Sequence, residues 1–314
     1  MKKKLVVIII IFISINFITG CSSSNSSIQE YNLYTGVNLK SQYTYPMAGV
    51  KVNASEKKSF TNHSGKVKYK LNEGQYKISV KSYIKELYKD ISLNSDTTLN
   101  IDLNLPDNMN EEHLKYIIFW YNSTHASNFR WEVEELKLYF DYSKSDKSFK
   151  SDWEKRAMQE INEWAVIKNL SFKKSKERKS ADIIVYYMNE KNFFKEHPDE
   201  NNSTIGWGGC RIASDHNYIT EGYIHIRDEY ALYPGIYSHE MGHVLGFGHP
   251  FDLYSTNSIM SYDDSIENLT TIDKQMLKIK MNLPPMISYS LGTSAYKLTD
   301  RTIEVSCEIN DINE

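Results

Sequence analysis

The run His239-Glu240-Met241-Gly242-His243-Val244-Leu245-Gly246-Phe247-Gly248-His249 decides how the rest of this chain is read. On a helix, His239 and His243 are four apart, so both imidazoles project from one face, one turn above the other, and can grip a single metal ion. Gly246, three residues after the second histidine, can take the positive φ that ends a helix, and the turn can carry His249 back to the same metal. Three neutral imidazoles leave the fourth position of a tetrahedral zinc open, as a catalytic site needs. Glu240, beside the first ligand, is placed to take a proton from water there. HExxH alone arises on ordinary helices; the glycine and third histidine in register make the pattern far more specific.

Working outward, 314 residues are enough for about two domains, each with its own core. With 37 basic and 40 acidic residues interspersed, the net charge of -3 gives no global pull toward nucleic acid, and no nucleic-acid partner is expected.

Residues 1–20 read as a targeting segment. Lys2, Lys3 and Lys4 form a positive n-region, Leu5 to Ile18 an apolar h-region, and Gly20 the small residue before a cleavage point. The apolar run is short for a bilayer span of about 20 residues. Ile18-Thr19-Gly20-Cys21 resembles the lipobox of bacterial lipoproteins, with residues 21–30 as a polar tether. The resemblance implies lipid on Cys21 and a membrane-anchored protein facing outside the cytoplasm; a freely secreted protein or an uncleaved anchor is the alternative. Of the remaining cysteines, Cys210 and Cys307 either stay free or form a disulfide contributing on the order of 4 kcal/mol.

Residues 31–105 read as all β. Val67, Tyr69 and Leu71 alternate with lysines, Asn72-Glu73-Gly74 supplies a turn, and Tyr76, Ile78 and Val80 resume the alternation, which predicts a hairpin with one buried face. Leu99, Ile101, Leu103 and Leu105 close the region with the same period. The arrangement is similar to the carboxypeptidase regulatory-like family of small β-sandwiches, which implies a spacer or a module that binds a surface polymer or partner.

A short polar linker, 106–112, leads to a second domain at 113–285. A first strand is expected over 132–140. A helix follows over 152–167, with Trp153, Ala157, Ile161 and Trp164 on one stripe and Ser151 or Asp152 at its N-cap. Strands are expected at 170–172, 183–188, 206–213 and 222–226, and a helix at 271–281. The tail, 286–314, carries weak strand signals near Thr302 to Ser306 and no assigned function.

Strand, helix, strands and then the HExxH helix is the order of the metzincin zinc metallopeptidases, and HEMGHVLGFGH matches their extended zinc motif. Pro250 and Ser258-Ile259-Met260-Ser261-Tyr262 look most like the serralysin branch, with matrixins as neighbouring relatives. The resemblance implies an α+β fold: a twisted, mostly parallel sheet, an active-site helix, a Met-turn and a C-terminal helix, preceded here by the small β-sandwich. It implies one catalytic zinc on His239, His243 and His249, with Glu240 as general base. Met260 matches the Met-turn methionine, and Tyr262 the tyrosine that stabilises the tetrahedral intermediate. Asp273 matches an aspartate that supports the Met-turn; locally it also fits helix capping with Thr270. Residues 207–212 would correspond to the edge strand on which a peptide substrate lies.

Departures are plain too: calcium repeats and a cysteine-switch propeptide are not recognised. His216 and His225 lie near where matrixins hold a structural metal, but the partner HxD pair is missing, so ordinary strand or loop histidines are expected. The implied function is a monomeric surface zinc endopeptidase acting on protein or peptide substrates. The alternative is a lipid-anchored adhesion protein on an inactive metzincin scaffold.

Overall fold

The computed structural model describes residues 29–40, 44–62, 64–82, 84–109, 113, 119–122, 125–132, 135–148, 150–167, 170–212, 218–249, 257–261, 263, 265–283, 289–290 and 301–307. The fold is mixed α+β. Eight strands come first: β1 (Glu30–Lys40), β2 (Thr44–Pro46), β3 (Lys51–Ala54), β4 (Lys57–Phe60), β5 (Lys66–Asn72), β6 (Gly74–Lys81), β7 (Glu86–Leu93) and β8 (Thr97–Asn104). They make two four-stranded sheets, β2-β1-β5 with β8 parallel on β1, and β4-β3-β6-β7. Alternation sets the packing: Val67, Tyr69 and Leu71 of β5 are buried between exposed lysines, and they share a core with Val52, Ala54, Ile78 and Val80 of the other sheet. The Tyr69 hydroxyl spans the two, donating to the Val52 carbonyl at 2.6 Å.

The hairpin expected between 67–71 and 76–80 is not formed. β5 pairs with β1, whereas β6 pairs with β3 and β7 in the other sheet. Period-two burial looks the same for a strand that turns back on its neighbour and for one that crosses to the facing sheet. The corner passes through Gly74 at φ 156°, and the Tyr76 hydroxyl braces it by donating to the Asn72 carbonyl at 2.8 Å.

Farther along, β9 (Phe119–Asn122) and β10 (His125–Ser127) join β17 (Tyr289–Ser290) in a small antiparallel sheet. The main sheet uses β11 (Arg130–Trp131), β12 (Glu135–Lys144), β13 (Ser171–Lys174), β14 (Ile183–Met188), β15 (Gly206–Ile212), β16 (Tyr218–Arg227) and β18 (Arg301–Cys307). Its order is β13-β12-β14-β16-β15-β18, with β11 on β16. The β12–β13, β12–β14, β14–β16 and β11–β16 pairs are parallel; β15 runs antiparallel to both its neighbours.

Helix α1 (Ser151–Asn162) packs on this sheet. Its N-cap is Lys150, with no side-chain cap, rather than Ser151 or Asp152. Trp153, Ala157, Ile161 and Trp164 are buried as the stripe predicts, although Trp164 lies just past the helix end. A short helix, α2 (Glu190–Glu196), follows β14.

One expectation, an open edge at 207–212, is corrected, and the two alternatives left for the cysteines are resolved toward a free Cys210. The C-terminal strand β18 pairs with β15 along its whole length, Gly206 opposite Cys307 through Ile212 opposite Arg301, so the edge expected open at 207–212 is covered. Cys210 is a buried free thiol standing opposite Ile303. Four strand residues separate it from the position facing Cys307, roughly 13 Å and beyond disulfide reach.

Candidate metal centre

Helix α3 (Ile236–Val244) carries the motif, and every residue in it is buried. It starts from Gly235 at φ +79°, which offers no side-chain cap. The exposed helix N–H groups are instead met from α1: the Glu160 carboxylate accepts from the amides of Gly235 at 3.2 Å and Tyr237 at 3.0 Å. The indole of Trp164 donates to the Ser238 carbonyl and that of Trp131 to the Val244 carbonyl, which fixes both ends of the helix. Beyond Val244, Gly246 takes φ +85° and the Phe247 amide turns back to the Gly242 carbonyl at 2.9 Å. That turn returns the chain, so the ring nitrogens of His239, His243 and His249 offer atoms all within 4.8 Å of one another.

The hydrogen bonds define the tautomers. A carbonyl only accepts, so His239 Nδ1–H donates to Ile259 O at 2.7 Å and His243 Nδ1–H donates to Phe247 O at 3.0 Å. Each neutral ring then presents an Nε2 lone pair, and the two Nε2 atoms face each other at 3.1 Å. Lone pairs at that separation repel unless a cation lies between them. Burial makes a proton a poor candidate: it pulls His239 down to about 4, and His243, with His249 and His239 beside it, well below the usual histidine range. Neutral imidazoles oriented by second partners are the donor set a borderline metal such as zinc prefers.

Glu240 is fully buried and lies against β15. A Cβ built on Gly206 would fall 2.6 Å from Glu240 Oε1, and one on Gly208 would fall 2.5 Å from the Glu240 carbonyl and 2.8 Å from Oε2. Those glycines therefore clear the space for the carboxylate. Sequence reading placed them in a strand and missed this role, because nothing local to Gly206-Trp207-Gly208 shows what crosses over it.

Beneath α3 lies a tight turn, closed by the Ser261 amide on the Ser258 carbonyl at 3.0 Å. Met260, fully buried, packs there against the helix: a Cβ on Gly242 would come within 2.1 Å of its sulfur. Helix α4 (Thr271–Asn282) holds the turn through Asp273. Its carboxylate accepts from Ser258 Oγ at 2.5 Å, the Ile259 amide at 3.0 Å and the Thr270 amide at 2.8 Å, while Thr270 completes a capping box. Asp273 thus caps α4 and ties the 258–261 turn to it at the same time. Burial pushes its pKa up, and these donors oppose that by favouring the ionised form. Since the Ile259 carbonyl receives His239, one residue, Ile259, links Asp273 to the first imidazole.

Tyr262, Cys21, Pro250 and His216 lie outside the described residues. His225 is not at this site; it packs with Trp207, and its Nδ1 lies 2.7 Å from His197 Nε2. Among the described residues, only His239, His243 and His249 bring three such donors together. No protein-family model matches the chain, and no curated protein matches it. The class the site itself defines is a metal-binding protein built on a histidine triad, two rings buried and His249 half-buried.

Proposed function

We propose that the protein is a zinc-dependent endopeptidase of the metzincin class, held by lipid on Cys21 at the outer face of the cell membrane. The observation that carries the reading is the pair of buried Nε2 lone pairs 3.1 Å apart with His249 beside them, each of the two rings fixed by a backbone carbonyl. Zinc, when bound there, supplies Lewis acidity to a water molecule and to the scissile carbonyl. With the metal in place, Glu240 would be the general base that accepts a proton from the attacking water and the acid that passes it to the leaving amine, a contribution of about 10²–10⁴-fold. Full burial against the Gly206 and Gly208 backbone supports that role by holding the carboxylate out of bulk water. Met260 forms the floor under the histidines, as the Met-turn methionine, and Tyr262 stabilises the developing oxyanion. The substrate is a protein or peptide.

Metal analysis and peptide cleavage on wild type and Glu240→Ala test this. The variant should keep one zinc per chain and lose turnover. Purified wild type without stoichiometric zinc, or a Glu240→Ala protein that cleaves as well as wild type, overturns the reading. For the anchor, Cys21→Ala should leave the membrane fraction; its persistence there would refute lipidation.

A further inference from the structure

The last turn of α4 buries a lysine. Lys280 is fully buried, and its Nζ donates to the Gly246 carbonyl at 2.8 Å and to Asn128 Oδ1 at 3.0 Å, above the ring of Phe247. Asn128 is held in turn, donating Nδ2 to the carbonyls of Lys280 and Leu283 at 3.3 and 3.0 Å. An ammonium group removed from water is expensive. Stability alone does not account for it.

What the amine grips is more telling. The Gly246 carbonyl and the Phe247 amide belong to one peptide unit, and that unit is held from both sides. Its N–H donates to Gly242 of α3 at 2.9 Å, and its C=O accepts from Lys280. The site is built for this approach, since a Cβ at Gly246 would lie 2.7 Å from the Phe129 carbonyl and 3.2 Å from Lys280 Nζ. The next carbonyl along, that of Phe247, receives His243 Nδ1–H, and His249 follows two residues later.

We infer that Lys280 is a positioning residue of the metal centre: by clamping the Gly246–Phe247 peptide it orients His243 and directs the chain that brings His249 to the zinc. The inference rests on the metal-centre reading above. It assigns a role to a residue that touches neither metal nor substrate.

The test is zinc affinity of the full chain by chelator competition, wild type against Lys280→Met. Loss of an outer-shell support should weaken zinc about 10–100-fold. The melting temperature of the metal-free protein should fall as well, because the buried Gly246 and Asn128 oxygens lose their donor. A double-mutant cycle with His249→Ala separates positioning from general stability: once Lys280 is gone, losing His249 should cost less affinity than it does in wild type. Wild-type zinc affinity in Lys280→Met, or strictly additive effects in the cycle, overturns the inference. Hydrogen exchange at the Phe247 amide of metal-free protein reads the clamp independently of any metal; it should quicken in Lys280→Met, and an unchanged rate refutes the clamp. Wild type that binds no zinc while this amide responds would instead refute the metal-centre reading. Should Lys280→Met not fold, Lys280→Gln, which keeps a shorter donor, replaces it, with an intermediate loss of zinc affinity expected and none overturning the inference.

Discussion

His239 and His243 stand one turn apart on one face of α3, yet what holds each ring differs in kind. Behind His239 is the Ile259 carbonyl, in a turn gripped by the carboxylate of Asp273. Behind His243 is the Phe247 carbonyl, in a turn gripped by the amine of Lys280. Both supports come from α4, seven residues apart and so on one helical face. The acid sits in the first turn and the base in the last, where the helix dipole favours each charge. One helix therefore steadies two imidazoles from opposite ends, each through backbone.

Removing a ring should break the comparison most completely. His239→Ala and His243→Ala should each purify without zinc, and bound metal per chain measures it. If either retains a full equivalent, the two rings are not equal ligands. Next comes the acidic support. Asp273→Ala strands the donors of Ser258, Ile259 and Thr270, each at about 1–3 kcal/mol, and should lower the melting temperature of apo and zinc-loaded protein alike. Lys280→Met strands only the Gly246 and Asn128 oxygens, so it should cost less stability than Asp273→Ala while still weakening zinc binding. A shared floor can be probed with Gly242→Ala: the new methyl meets the Met260 sulfur at 2.1 Å and the Trp164 ring at 3.2 Å, so about 1–3 kcal/mol of overpacking is expected. Denaturant titration would show whether Met260 moves aside without that loss.

The smallest effect is the pH response. His239 is held neutral by burial, its pKa drawn from 6.5 to about 4. Its contribution to folding is therefore present above pH 6.5 and is lost as pH falls toward about 4, where the unfolded chain takes up a proton that the folded one resists. Melting curves of the metal-free protein from pH 7 to 4 should decline, and His239→Gln should flatten part of that slope.

The parts legible in sequence were those written locally. The histidine spacing, the glycine that ends α3 and the Thr270–Asp273 cap each lie within a dozen residues, and local periodicity also placed Ile183–Met188 and the stripe on α1. Lys280 looks like any polar helix residue, because its partners Gly246 and Asn128 lie far away along the chain. The same holds for Gly206 and Gly208, whose reason for being glycine is a carboxylate on another element. At 67–80 the alternation was right and the pairing wrong, since pairing depends on β1 and β3 rather than on the turn between β5 and β6.

The β15–β18 ladder has a consequence for how the chain is made. Residues 206–212 find their outer partners only at 301–307, which leave the ribosome well after them. Until then β15 carries an open row of amides and carbonyls, the kind of border along which nascent chains stick to one another. A chain stopped short of Arg301 would keep that border for good, and light scattering on such a truncated protein should show self-association that the full chain does not.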